Sequence, residues 1–147
     1  VVQTMAALNR YAAEAGRKAG LSACTDITGF GLLGHSCEML EGGLVTLEME
    51  AAAVPLLPGA LDVAEEGIIP KNAYINRDHF EEKIAFGPEV TLAQQDVLFD
   101  PQTSGGLLLA LPASKEKALM EELAKHCPDA AVVGRVVPYN GKLVRVM

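Results

Sequence analysis

An α+β fold, with helices packed on a mixed and largely antiparallel sheet, is what this sequence predicts, and two patterns lead to it. Segments of helical periodicity and segments of strand alternation are interleaved along the chain, which places both kinds of element in one core. The last two strand-like runs, 131–137 and 142–147, are separated by Pro138-Tyr139-Asn140-Gly141, whose Asn-Gly step favours a tight antiparallel hairpin. The 147 residues suit a single domain, 1–147, that buries roughly two-thirds of its unfolded surface.

Taken in order, residues 2–19 read as an amphipathic helix with Met5, Leu8, Ala12, Ala15 and Ala19 on one stripe and Gly20 as the stop. Residues 29–41 read as a second helix, with Phe30, Leu33, Cys37 and Leu40 aligned and Gly42-Gly43 closing it. From Leu44 to Glu50 the pattern alternates, Val45, Leu47 and Met49 against Thr46, Glu48 and Glu50, which is the signature of a half-buried strand. Pro55 and Pro58 precede a short helix at 59–66. A weakly patterned excursion runs from Gly67 to Gly87, with a short helix expected near 78–84. Residues 91–98 form another short helix, Leu107 to Leu111 a buried strand, and Ser114 to Lys125 a capped helix.

Composition narrows the function. Twelve basic against nineteen acidic residues give a net charge of −7 with no Lys/Arg cluster, which argues against nucleic acid and against an anionic membrane surface. An acidic protein handling a polyanion such as ATP needs a metal to bridge like charges. No apolar run approaches the ~18–20 residues of a membrane span, and no signal-peptide pattern opens the chain. Cys24, Cys37 and Cys127 are widely spaced without a C-x-x-C pair, so a disulfide framework or zinc site is not expected and a cytoplasmic location is. A first residue other than Met, inside a helical pattern, suggests a piece of something longer.

Two segments carry the chemistry. In Thr25-Asp26-Ile27-Thr28-Gly29-Phe30-Gly31, an aspartate lies just ahead of a helix start and two glycines occupy the first turn, where alanine makes the better helix. Removing side chains there clears an approach to unpaired backbone N–H groups, whose usual occupant is a phosphate. An adjacent carboxylate suits Mg²⁺, which takes one or two carboxylates together with phosphate oxygens. The plainer reading makes Asp26 or Thr28 a helix cap. In Phe99-Asp100-Pro101-Gln102-Thr103-Ser104-Gly105-Gly106, a turn leads polar side chains into a strand, as a plain turn or as a loop lining a site. Two such segments in one small domain favour a shared site. His35, His79, His126 and Cys24 lack partners at catalytic or ligand spacing and are read as structural. Asn76-Arg77 could meet an anion or pair with Glu81.

Together, 25–35 (TDITGFGLLGH) and 99–108 (FDPQTSGGLL) closely resemble the selenophosphate synthetase family, also called selenide, water dikinase, along essentially the whole chain. Related enzymes of the aminoimidazole ribonucleotide synthetase superfamily carry a shorter glycine motif at the first block. The resemblance is to the C-terminal domain of a two-domain enzyme and implies a fold like that of the superfamily's C-terminal domains. It implies conversion of ATP, selenide and water to selenophosphate, AMP and phosphate, with Mg²⁺ and ATP as cofactors and a homodimeric parent enzyme. It implies Asp26 as a metal ligand, and Thr25, Thr28, Gly29 and Gly31 with Gln102, Thr103, Ser104 and Gly105 lining the nucleotide cleft. The catalytic nucleophile belongs to the N-terminal domain, the implied partner, so no catalytic residue is expected here and 1–147 alone is expected to be inactive. One departure stands out: Pro70 is followed by Lys71-Asn72-Ala73-Tyr74 where many members carry two glycines. The competing readings are another ATP-dependent synthetase of the superfamily and a non-catalytic interaction domain.

Overall fold

The structure, a computed structural model, describes residues 2–147. It has two layers. The larger is a four-stranded sheet in the order β3 (Ile84–Phe86), β6 (Val144–Val146), β2 (Val45–Met49), β5 (Gly134–Pro138). Against it packs α3 (Gly31–Leu40), with α5 (Lys71–Phe80) and α6 (Leu92–Phe99) packed on α3 and on each other, and α4 (Ala60–Glu65) leans on α6. Leu33, Cys37, Met49, Phe99, Val144 and Val146 form the centre of this core and are essentially inaccessible. The smaller layer is a two-stranded ribbon of β1 (Ala23–Asp26) and β4 (Leu107–Ala110). It is covered by α2 (Arg10–Ala19) and α7 (Glu116–Leu123) through Ala15, Leu109, Leu119 and Leu123.

The α+β class with mixed sheets is as expected, but the pairings divide evenly: β1–β4 and β2–β5 are antiparallel, β2–β6 and β3–β6 parallel. The expected hairpin between the last two strands does not form, because β2 lies between β5 and β6. The buried Thr46 hydroxyl of β2 explains this. It sits 2.5 Å from the Lys142 carbonyl oxygen and accepts the Asn140 N–H at 3.2 Å, so the connection wraps around the end of β2. The same wrap buries Thr46, which the alternation placed outward with Glu48.

Other differences have local causes. The helix expected at 2–19 is divided into α1 (Val2–Ala6) and α2, with Asn9 at the junction accepting the Ala13 N–H, and Gly20 ends α2 in a left-handed conformation (φ 75°). The helix expected near 78–84 lies earlier, at α5, where Pro70 takes the N-cap position and Lys71-Asn72-Ala73 enters the helix directly. Ala73, Asn76 and Phe80 share the buried face of α5, and the polar Asn76 in that stripe hid the helix from the periodicity. β4 is half-buried rather than buried, since its ribbon has only two strands. Ser114 does not cap α7 but lies in a 3-10 turn before it. The strand β1 was not anticipated. Four residues of mixed polarity leave too short a pattern. Among the described residues no helix is long and apolar enough to cross a membrane.

Candidate functional site

The two polar segments leave the same end of the ribbon side by side. Asp26, the last residue of β1, stands opposite Leu107, the first of β4. Hydrogen bonding continues past the ribbon: Ile27 N–H donates to Gly106 O, Gly105 N–H to Ile27 O and Gln102 N–H to Thr28 O, each at 3.0 Å. The ladder makes the two motifs one double loop, which then passes into α3 on one strand and arrives from α6 on the other.

Neither Asp26 nor Thr28 caps α3. Phe30 occupies the N-cap position without a side-chain hydrogen bond, and Gly31 N–H turns back to Thr28 O at 3.0 Å. Gly31 is required by packing: its φ is +69°, and a Cβ there would stand 2.7 Å from the Phe99 carbonyl carbon. Gly105 is similarly constrained, 2.7 Å from Ile27 O. Gly29 is different, since a Cβ there would meet nothing within 4 Å. Nothing in this fold requires glycine at 29. Gly29→Ala is therefore expected to leave stability within about 0.5 kcal/mol of the parent. Gly31→Ala, forced into a left-handed conformation against backbone, is expected to cost about 2 kcal/mol or more. Urea unfolding of the two variants checks the contrast.

Asn76 fastens the double loop from beneath. Its Nδ2 donates to Gly29 O at 2.9 Å and to Phe99 O at 3.0 Å, one carbonyl from each motif, and the residue is 5% exposed. Sequence reasoning singled out Asn76 but left its role open. The signal available was an amide at the spacing of buried Ala73 and Phe80. Arg77 is committed elsewhere: it donates to Gln95 Oε1 (3.0 Å) and Asp96 Oδ1 (2.6 Å) and lies over the Phe99 ring, holding α5 to α6. Glu81 is not its partner in these contacts.

The side chains at the surface sort themselves by partner. Asp26 is exposed and enters none of the ion pairs among the described residues. Thr25 is half-buried, its hydroxyl donating weakly to Asp26 O at 3.4 Å. The Thr28 hydroxyl lies 2.9 Å from His35 Nε2, and His35 Nδ1 lies 2.8 Å from Glu38 Oε2. Gln102 turns inward, its amide donating to Asp100 Oδ2 at 2.8 Å. Burial pushes the Asp100 carboxyl above its ordinary range, partly offset by that hydrogen bond. Thr103, Ser104 and Gly105 are exposed, Ser104 in a left-handed conformation with φ 59°. Partial burial, and secondarily the charge of Asp26, push the Cys24 thiol up, while burial pushes the enclosed Cys37 up to about 12. Neither is set up as a thiolate nucleophile.

Among the described residues no three His, Cys, Asp or Glu side chains group into a metal site. An unpaired, exposed Asp26 fits the part of a single carboxylate donor to Mg²⁺, whose other positions are filled by water and phosphate. Two hollows among the described residues have linings that do not include the double loop. One, about 500 Å³, is lined by Glu65, Tyr74, Arg77, Leu92 and Asp96; the other, about 160 Å³, by Tyr11, Glu14, Glu122 and His126. Asp26 and Gly29 are both exposed and line neither hollow.

Comparison with known proteins finds relatives along the whole chain. Residues 1–146 match the family described as AIR synthase related protein, C-terminal domain. The chain is 43% identical over 142 residues to the selenide, water dikinase of Clostridium botulinum strain Eklund 17B / Type B, covering 97% of this chain and 41% of the relative. It is 40% identical over 152 residues to the protein of that name from Clostridioides difficile strain 630, covering 100% of this chain and 42% of the relative. For Trichlorobacter lovleyi strain ATCC BAA-1151 / DSM 17278 / SZ the values are 44% over 140 residues, 93% and 39%. The chain thus spans about two-fifths of the length of the curated relatives it matches.

Proposed function

The chain belongs to the AIR synthase related protein, C-terminal domain family, and from that premise we propose that residues 1–147 are the C-terminal domain of a selenophosphate synthetase, forming one wall of its interdomain Mg-ATP cleft. The observation that supports this most directly is the double loop itself, which laces both motifs together and leaves Asp26 and the unobstructed Gly29 exposed. Asp26 supplies one metal ligand from this side. Thr25, Thr28 and Gly29, with Thr103, Ser104 and Gly105, line the nucleotide's approach. Gln102 braces Asp100 from within, and Gly31 lets α3 close against Phe99.

The overall reaction is the conversion of ATP, selenide and water to selenophosphate, AMP and phosphate. When bound, Mg²⁺ would neutralise phosphate charge, and positioning accounts for most of the catalysis. The nucleophile and the remaining metal ligands belong to the N-terminal domain, so 1–147 alone is inactive and binds Mg-ATP weakly at most. The parent enzyme is a cytoplasmic homodimer.

Phosphorus NMR on the full-length parent enzyme with Mg-ATP tests the reading. Selenophosphate and AMP are expected only when selenide is present. A phosphorylated product formed without selenide would return the function to another ATP-dependent synthetase of the superfamily. No ATP turnover by a folded full-length protein would leave a non-catalytic interaction domain.

A further inference from the structure

Thr28 lies two residues beyond Asp26, the end of β1, yet their polar atoms are treated differently by the fold. The Thr28 hydroxyl ends a chain of three side chains that runs from the surface into the first turns of α3. Its direction can be read from both ends. At the inner end, His35 Nε2 lies 3.4 Å from the backbone N of Phe30 as well as 2.9 Å from Thr28 Oγ1. A backbone N–H only donates, so Nε2 carries no proton, and the shorter contact is donated by the Thr28 hydroxyl. At the outer end, Nδ1 faces the Glu38 carboxylate at 2.8 Å, an acceptor, so Nδ1 carries the proton. Both ends specify the same neutral tautomer.

A threonine hydroxyl has one proton to give. With that proton engaged by His35, Thr28 can offer the cleft only lone pairs. A phosphate oxygen needs a donor, whereas a cation, or a water bound to it, needs an acceptor. Resting on the cleft reading above, we infer that His35, held by Glu38, is a positioning residue that fixes Thr28 as an acceptor serving the hydrated divalent cation rather than the nucleotide phosphates. The arrangement parallels the second partners that orient metal ligands elsewhere, whose removal typically weakens metal binding by about 10–100-fold.

Two measurements on the full-length enzyme test this. With ¹⁵N-labelled histidine, His35, assigned by its disappearance in His35→Gln, is expected to show the Nδ1-protonated tautomer; an Nε2-protonated or doubly protonated ring overturns the inference. Mn²⁺ affinity in the presence of ATP, read by electron paramagnetic resonance without selenide, is expected to fall about tenfold in Thr28→Val. Thr28→Ser is expected to restore it. Glu38→Ala, at a surface position that cannot endanger the core, is expected to weaken Mn²⁺ in the same direction. In the Thr28→Val background it is expected to add little, because the two act through one chain. Unchanged Mn²⁺ affinity in Thr28→Val, or a loss confined to ATP affinity at saturating Mn²⁺, overturns the inference. Neither measurement needs turnover. A protein that makes no selenide-dependent product while behaving as described refutes the proposed reaction and leaves the role of His35 standing.

Discussion

Asp26→Asn in the full-length enzyme is expected to lower selenide-dependent AMP release by about 100-fold or more while leaving the fold intact. The first half follows from charge. Losing an outer partner of a metal ligand costs about 10–100-fold, and replacing a charged donor with a neutral amide removes more than an orienting contact. The second half follows from exposure: Asp26 is at the surface and enters no ion pair among the described residues. A change there is expected to alter stability by no more than about 0.5 kcal/mol. Phosphorus NMR of AMP and selenophosphate gives the activity, and urea unfolding gives the control. Equal activity in the two proteins would reduce Asp26 to a strand-end residue and remove its metal role. Raised Mg²⁺ that partly restores the variant would support that role, because a weakened site is refilled by mass action.

The largest stability effect is expected at Asn76. Asn76→Ala removes two hydrogen bonds at once and strands two carbonyl oxygens, those of Gly29 and Phe99, beneath the double loop. Each buried polar group left unsatisfied costs about 1–3 kcal/mol, so a loss of about 2–6 kcal/mol is expected in the full-length protein's unfolding, followed by urea. Asn76→Asp keeps the shape but turns an acceptor toward two acceptors, and is expected to be no better than alanine. The same variants are expected to lose activity out of proportion to the fraction unfolded, because this one amide holds a carbonyl from each motif. A variant with full activity and parental stability would show that the ladder between residues 27–28 and 102–106 suffices to hold the loops.

What the sequence made legible, and what it did not, divides along physical lines. β2, α4 and α6 were readable because their signals are local: alternation at Val45–Met49, and Thr91 with Gln94 making the reciprocal capping box that starts α6. The two motif segments were readable because glycines beside hydroxyls and a carboxylate have no cheap structural explanation. That they would lie against each other was a guess from their number, and the ladder supplies the reason. Asn76 was noticed but not understood, because its partners are carbonyls from two distant segments and carbonyls leave no trace in sequence. His35 was set aside for want of a His or Cys at ligand spacing, yet its partners are a threonine seven residues before it and a glutamate three after. The hairpin failed for the same kind of reason: Asn140-Gly141 has the right turn chemistry, and nothing nearby announces that Thr46 recruits Asn140 instead. Local rules hold until a distant residue offers the same atoms a better partner.

The placement of β6 also bears on how the protein is made. Residues 144–146 sit between β3 and β2, and their outer partners are synthesised long before them. On the ribosome, Ile84 of β3 and Leu47 and Met49 of β2 emerge with no strand to join them. Among the described elements, β6 comes last in chain order. Closure must therefore wait until that segment clears the exit tunnel, and the pairings it makes are long-range and slow to find. Until then the nascent domain presents an unpaired apolar seam of the kind that chaperones bind. Completion of the sheet thus depends on whether three residues reach their slot.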